Sequence, residues 1–160
     1  MSAVSLRTVL EQSTAEIEAS RELFREYQRS IDVDLCFQDF EREVKELPGE
    51  YAPPGGRLLL CFHEGKLAGC VALRGIDESI CEMKRLYVRP TFRGKHLGKQ
   101  LVDTVISQAR AVGYTQMRLD TLPSMKEAIA LYRSMGFTEI APYRHNPVSG
   151  ALFMELDLSS

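Results

Sequence analysis

Apolar positions recur along this chain with two periods, and the switches between them outline its elements. Ser5 to Val9 predicts a short first strand. From Ala15 to Ser30, Ile17, Phe24 and Ile31 repeat every seven residues, and Leu23 and Tyr27 widen the same stripe. That is an amphipathic helix, with Ser13 or Thr14 placed to cap it. A second helix is expected over Phe37 to Leu47, with Phe37, Phe40, Val44 and Leu47 on one face and Pro48-Gly49 as its stop. After a turn-rich stretch from Glu50 to Gly56 the pattern shortens to strands. Arg57 to Phe62, Leu67 to Arg74 and Ile80 to Val88 follow one another, joined by Glu64-Gly65 and by Gly75 to Glu78, which predicts an antiparallel meander.

The helical period returns from Gly98 to Ala111, where Leu97, Leu101, Val105, Ala109 and Val112 recur at steps of four and three before Gly113. Gln116 to Thr121 alternates as a strand. Met125 to Met135 predicts a fourth helix ending at Gly136, and Phe137 to Ile140 and Ala151 to Leu158 predict two strands around a loop of turn residues. No internal repeat or interdomain linker interrupts this order, so residues 1–160 are expected to form one domain. The fold class is α+β: a mixed sheet of about seven strands with helices on both faces, in the order β-α-α-β-β-β-α-β-α-β-β.

Composition narrows the function. Hydrophobic residues make up 44% of the chain, enough for a packed core rather than disorder. Twenty basic and 22 acidic residues are well mixed, for a net charge of −2, and no polybasic block exists. Nucleic acid and anionic membrane are therefore not expected as partners. The run Leu58 to Phe62 is far too short to span a bilayer, and Arg7 and Glu11 interrupt any leader-like apolar stretch. A cytoplasmic protein is the expectation. The four cysteines, Cys36, Cys61, Cys70 and Cys81, form no C-x-x-C pair and read as reduced, buried small hydrophobes. His63, His96 and His145 fall in turns or loops without a ligand pattern, so no metal is expected.

The most chemically loaded stretch is Leu86 to Leu101, LYVRPTFRGKHLGKQL. A strand breaks at Arg89-Pro90, passes through a basic, glycine-bearing loop and enters a helix. Unpaired amides and the positive helix dipole meet at such a point, which suits a phosphate. A nucleotide-hydrolase P-loop is excluded, because Gly94 and Gly98 are too close together and Gln100 stands where a hydroxyl is needed. A dinucleotide-type G-x-G-x-x-G is absent as well. The segment instead resembles the pyrophosphate loop of the GNAT superfamily of N-acetyltransferases, Q/R-x-x-G-x-G/A after a strand ending L-x-V-x-P. Arg93 and Gly98 fill the ends of that motif, Leu86, Val88 and Pro90 match the lead-in, and His96 replaces the middle glycine. Ala128 to Tyr132 followed by Gly136-Phe137 resembles the family's N-x-x-A-x-x-L-Y-x-x-x-G-F block, with Met125 where the family has asparagine. The element order matches the family over essentially the whole chain.

The resemblance implies acetyl-CoA as acyl donor. Backbone of Leu86, Tyr87 and Val88 would pair with the pantetheine arm, and an amide of Leu86 or Tyr87 would polarise the thioester carbonyl. Amides from Arg93 through Gly94, Lys95, His96 and Leu97 to Gly98 would hold the pyrophosphate, and Lys95 or Lys99 would neutralise it. An alkylammonium has no lone pair, so transfer to an amine needs a base. Glu82 is the candidate: two-residue alternation sets Glu82, Lys84, Leu86 and Val88 on one side of their strand, and the position matches the family's catalytic glutamate. Tyr132 is the candidate acid for the departing thiolate. Arg85, Tyr143, Arg144 and Asn146, with Lys84, are the candidates for holding the acceptor, and an arginine fork would suit one that carries a carboxylate. The favoured function is N-acetyl transfer to a small primary amine. A protein lysine or N-terminal acceptor, or a non-catalytic acyl-CoA-binding module, remain alternatives. Either a monomer or a homodimer is compatible, and a strand-exchanged or edge-paired dimer through Leu152 to Leu158 is one route to the latter.

Overall fold

The computed structural model describes residues 3–31 and 39–159. Cys36 and the beginning of the expected second helix, Phe37 included, lie outside the described residues. Seven strands form one sheet: β1 (Val4–Thr8), β2 (Arg57–His63), β3 (Lys66–Gly75), β4 (Ile80–Val88), β5 (Gln116–Thr121), β6 (Thr138–Ile140) and β7 (Leu152–Asp157). Their order across the sheet is β1-β2-β3-β4-β5-β7-β6. Four α-helices accompany them: α1 (Thr14–Ile31), α2 (Phe40–Glu46), α3 (Leu97–Val112) and α4 (Lys126–Ser134). None of the described helices is long and apolar enough to cross a membrane.

The helices divide between the two faces of the sheet. Ile17, Leu23 and Phe24 of α1 and Phe40 and Val44 of α2 pack on Leu58, Leu60, Cys70 and Ala72. Leu97, Leu101, Val102, Val105 and Ala109 of α3, with Tyr132 of α4, pack on Leu59, Val71, Leu73, Met117 and Leu119. Neighbouring strand residues supply both cores, because successive side chains point to opposite faces and β2 to β4 are covered on both. Glu64 and Gly65, at φ 51° and 79°, make the two-residue turn that joins His63 to Lys66.

Two departures from regular pairing shape the middle of the sheet. In the antiparallel β3/β4 pair, Cys70 lies opposite Tyr87 but Ala72 lies opposite Lys84. Arg85 and Leu86 therefore share one position of β3, and Arg85 adopts φ 61°. This is a β-bulge, and it reverses the facing of everything after it. Next, the parallel pairing of β4 with β5 covers only Ile80, Cys81 and Glu82. Beyond Glu82 the two strands diverge, leaving the β5-facing edge of β4 without a strand partner. The last strand is not at the margin: β7 runs between β5 and β6, pairing with both. Edge pairing through Leu152 to Leu158 is thereby ruled out, and β1 and the three-residue β6 form the margins.

Candidate active site

The opening between β4 and β5 is where the expected site residues gather. On the α3 side a groove runs from Leu86 and Val88 past Arg93, Gly94 and Gly98 to the first turn of α4. It continues into a small cavity of about 40 Å³ between the strands, bordered by Leu86, Met125, Asp120 and Tyr132. On the other face, below α2, lies a pocket of about 640 Å³ bordered by Glu43, Tyr51, Arg74, Arg144 and His145. Among the described residues, Lys84 is the one that borders both the cavity and this pocket.

The candidate pyrophosphate loop is a tight turn leading into α3. Pro90–Phe92 forms a single 3₁₀ turn, and Gly94 follows at φ 82°. His96, in the place of the family's glycine, also takes a left-handed conformation, φ 62° and ψ 23°. No side chain caps α3 at His96, so its first amides are left without an intrahelical acceptor beside the groove. Leu97 is 2% exposed and belongs to the core, so only its backbone serves the loop. The positive φ at His96 tightens the turn that aims these amides. A β-carbon on Gly98 would meet only Leu131 and Val88, at 3.8 and 4.0 Å, so nothing in the protein demands a glycine there. Gly98 borders the groove. Arg93 folds back to donate from Nε to the Val88 carbonyl at 3.0 Å. Lys99 pairs with Asp103 at 2.8 Å, and Lys95 is exposed and does not border the groove. The charge expected from the lysines is therefore partly spent or set apart.

The bulge divides the set placed on one side by strict alternation. Glu82 and Lys84 face α1 and α2, across from Arg74 and Ala72, while Leu86 and Val88 face α3. Arg85 also turns toward α2, where Nε and Nη2 donate to the two Glu43 oxygens at 2.8 and 2.9 Å. With its side chain only 2% exposed and its guanidinium stacked near Phe40 and Tyr27, it is committed to holding α2 and cannot receive an acceptor. Tyr87 points to the α1 side and donates to Glu26 at 3.2 Å, so it too contributes backbone rather than side chain to the groove.

Glu82 is fully buried. Its Oε1 accepts from Arg74 Nε at 2.9 Å and its Oε2 accepts from the Tyr143 hydroxyl at 2.6 Å, with the Arg144 guanidinium also against Oε2. Tyr143 and Arg144 thus come together as expected, but on Glu82 rather than around a free space. Asn146 donates to Asp120 at 3.2 Å and borders the cavity. The Arg85 guanidinium is closed to a substrate carboxylate, whereas Arg144, paired with Glu82 through Nη2, still borders the pocket. Tyr132 is 5% exposed and borders the cavity. Burial pushes its hydroxyl well above the ordinary phenol range, so it carries its proton at every working pH.

Several functional groups escaped the sequence reading. Arg74 was one; counting back from the Gly75-to-Glu78 hairpin sets it opposite Glu82, so the signal was there. Asp120 and Glu43 carried none. Lys84 was a candidate cation for the acceptor, yet burial, with the Arg85 and Arg74 guanidiniums near it, brings its amine down to about 7, against the pull of Glu43 and Asp120. Among the described residues, no cluster of His, Cys, Asp and Glu is placed to hold a metal ion.

Residues 17–137 match the acetyltransferase (GNAT) family. An uncharacterised N-acetyltransferase of Schizosaccharomyces pombe is 41% identical over 139 residues, covering 86% of this chain and 85% of the relative. A crystal structure of an acetyltransferase from Streptococcus agalactiae superposes with a TM-score of 0.79 at 21% identity, covering 96% of this chain and 98% of that one. An acetyltransferase from Salmonella typhimurium, determined with its cofactor acetyl-CoA, gives a TM-score of 0.67 at 23% identity, covering 98% and 94%. The strand splay after Glu82, the uncapped loop at His96 and Tyr132 on α4 accordingly sit in a chain that belongs to the GNAT family of acetyltransferases.

Proposed function

We propose that this protein transfers an acetyl group from acetyl-CoA to the nitrogen of a small primary amine. The observation that carries the reading is the passage through the sheet: groove, cavity and pocket follow one another across the β4/β5 opening. The groove fits a CoA chain in two respects. The free edge of β4 beyond Glu82 offers backbone donors and acceptors to an extended amide arm, and the uncapped start of α3 offers amides and dipole to a diphosphate. The acetyl-CoA found with the Salmonella protein of the same fold supports this donor. Bound there, the donor supplies an activated acyl carbonyl at the mouth of the cavity. A pocket of about 640 Å³ is of the size that takes a small molecule, which favours such an acceptor over a protein chain.

In this reading the amide of Leu86 or Tyr87 polarises the acyl carbonyl, a contribution worth roughly 2.7–4 kcal/mol for one well-placed donor. Tyr132 donates to the departing sulfur. Desolvation in a closed, apolar site raises the basicity of a thiolate, which favours uptake of that proton. Glu82 serves as proton acceptor at one remove. Its oxygens are filled, so a proton from the acceptor ammonium reaches it through the Tyr143 hydroxyl, which passes its own proton to Oε2. The test is thiol release from acetyl-CoA over a panel of small amines, with CoA binding measured in parallel. Tyr132→Phe should retain CoA binding and lose roughly 10²–10⁴-fold in kcat. Absence of both CoA binding and thiol release in the wild type would overturn the reading.

A further inference from the structure

Lys84 occupies a singular position. It is the last residue of β4 before the bulge, it is 9% exposed, and among the described residues it alone borders both the cavity on the donor side and the pocket on the acceptor side. An acceptor nitrogen approaching the acyl carbon from the α2 face must pass or replace its amine. The charged groups around it come from four elements: Arg85 on its own strand, Arg74 on β3, Glu43 on α2 and Asp120 on β5. The carboxylates among them are engaged elsewhere, Glu43 by Arg85 and Asp120 by Asn146. Glu82, two residues away, is filled by Arg74, Tyr143 and Arg144. Among the described residues none forms an ion pair with Lys84. A lysine so placed has little to hold its charge and a passage to the thioester site in front of it.

Resting on the reading that the groove binds acetyl-CoA, we propose that Lys84 is an internal acyl acceptor, taking the acetyl group onto its own Nζ when no amine fills the pocket below α2. The lone pair of the neutral amine forms the new C–N bond, the C–S bond breaks, and CoA leaves as thiolate. The proton lost by the nitrogen matches the one that the thiolate takes up, with Tyr132 bordering the same cavity. No oxidant or further reactant enters. The product is an amide. It does not return its acyl group to an incoming amine, carries no charge at any pH, and fills the partition between cavity and pocket. Self-acetylation at this residue therefore closes the site in the absence of acceptor.

Burial supplies the reactivity. An ordinary exposed lysine, near 10.4, is uncharged to only about one part in 10³ at neutral pH, whereas an amine brought down to about 7 is roughly half uncharged. The rate should rise as pH passes through that value, because the reactive form is the deprotonated one, and level off above it.

The experiment incubates the purified protein with acetyl-CoA and no amine, follows intact mass, and maps the acetyl group by peptide analysis. The expected result is one acetyl group on Lys84, formed at least roughly tenfold faster than on exposed lysines such as Lys66 and Lys95. It should be suppressed by free CoA and by a turned-over amine, and absent at that position in Lys84→Arg. Wild-type protein that binds CoA and acetylates amines, yet leaves Lys84 unmodified or no faster than the exposed lysines, overturns this inference and leaves the proposed function standing. Protein that neither binds CoA nor releases thiol overturns both.

Discussion

Two single residues carry the local tension of this site, and both were visible as letters before their strain was. His96 holds φ 62° at the place of the glycine in the motif its loop resembles, and a non-glycine residue in that region gives up roughly 1–2 kcal/mol. His96→Gly should recover part of this, offset by the roughly 0.5–1 kcal/mol that glycine adds to the unfolded chain's freedom. A net gain of up to about 1 kcal/mol would raise the melting midpoint by roughly 2–4 °C. A lower midpoint, measured by thermal unfolding monitored by circular dichroism, would contradict the strain assigned to the loop. Lys84 has the opposite history: its identity suggested a cation for the acceptor, and only its surroundings reveal a buried amine brought down to about 7. Residue type was legible for both, but conformation and solvation depend on neighbours that are far apart in sequence.

At the level of elements, β4 and β5 were read to the residue, because turns or glycine bound both strands. Their relation was not legible. The bulge at Arg85 has no sequence signature: a positive φ at an arginine follows from Glu43, Phe40 and Tyr27 drawing its side chain across the sheet, a tertiary cause. Two-residue alternation therefore held for Glu82 and Lys84 and failed for Leu86 and Val88. The same pair of strands sets a steric limit at Gly69, where a β-carbon would fall 2.4 Å from the Tyr87 carbonyl oxygen. Backbone cannot step aside as a side chain can. Gly69→Ala should cost about 1–3 kcal/mol in urea unfolding. An alanine variant with unchanged stability would remove the claim of close approach.

Over the whole molecule, the element order and the helices on both faces were present in the pattern of the chain. The order of the strands across the sheet was not, since β7 inserts between β5 and β6 by pairing that no local period records. The consequence of the divergence after Glu82 is one of traffic. In the proposed reaction donor and acceptor would enter by separate doorways on opposite faces, so neither would queue behind the other, and each product would leave by the way its precursor arrived. Initial-rate measurements should show CoA competing with acetyl-CoA but not with the amine, and the N-acetylated product competing with the amine but not with acetyl-CoA. A shared doorway would make each product compete across the pair, and that pattern would refute two-sided access.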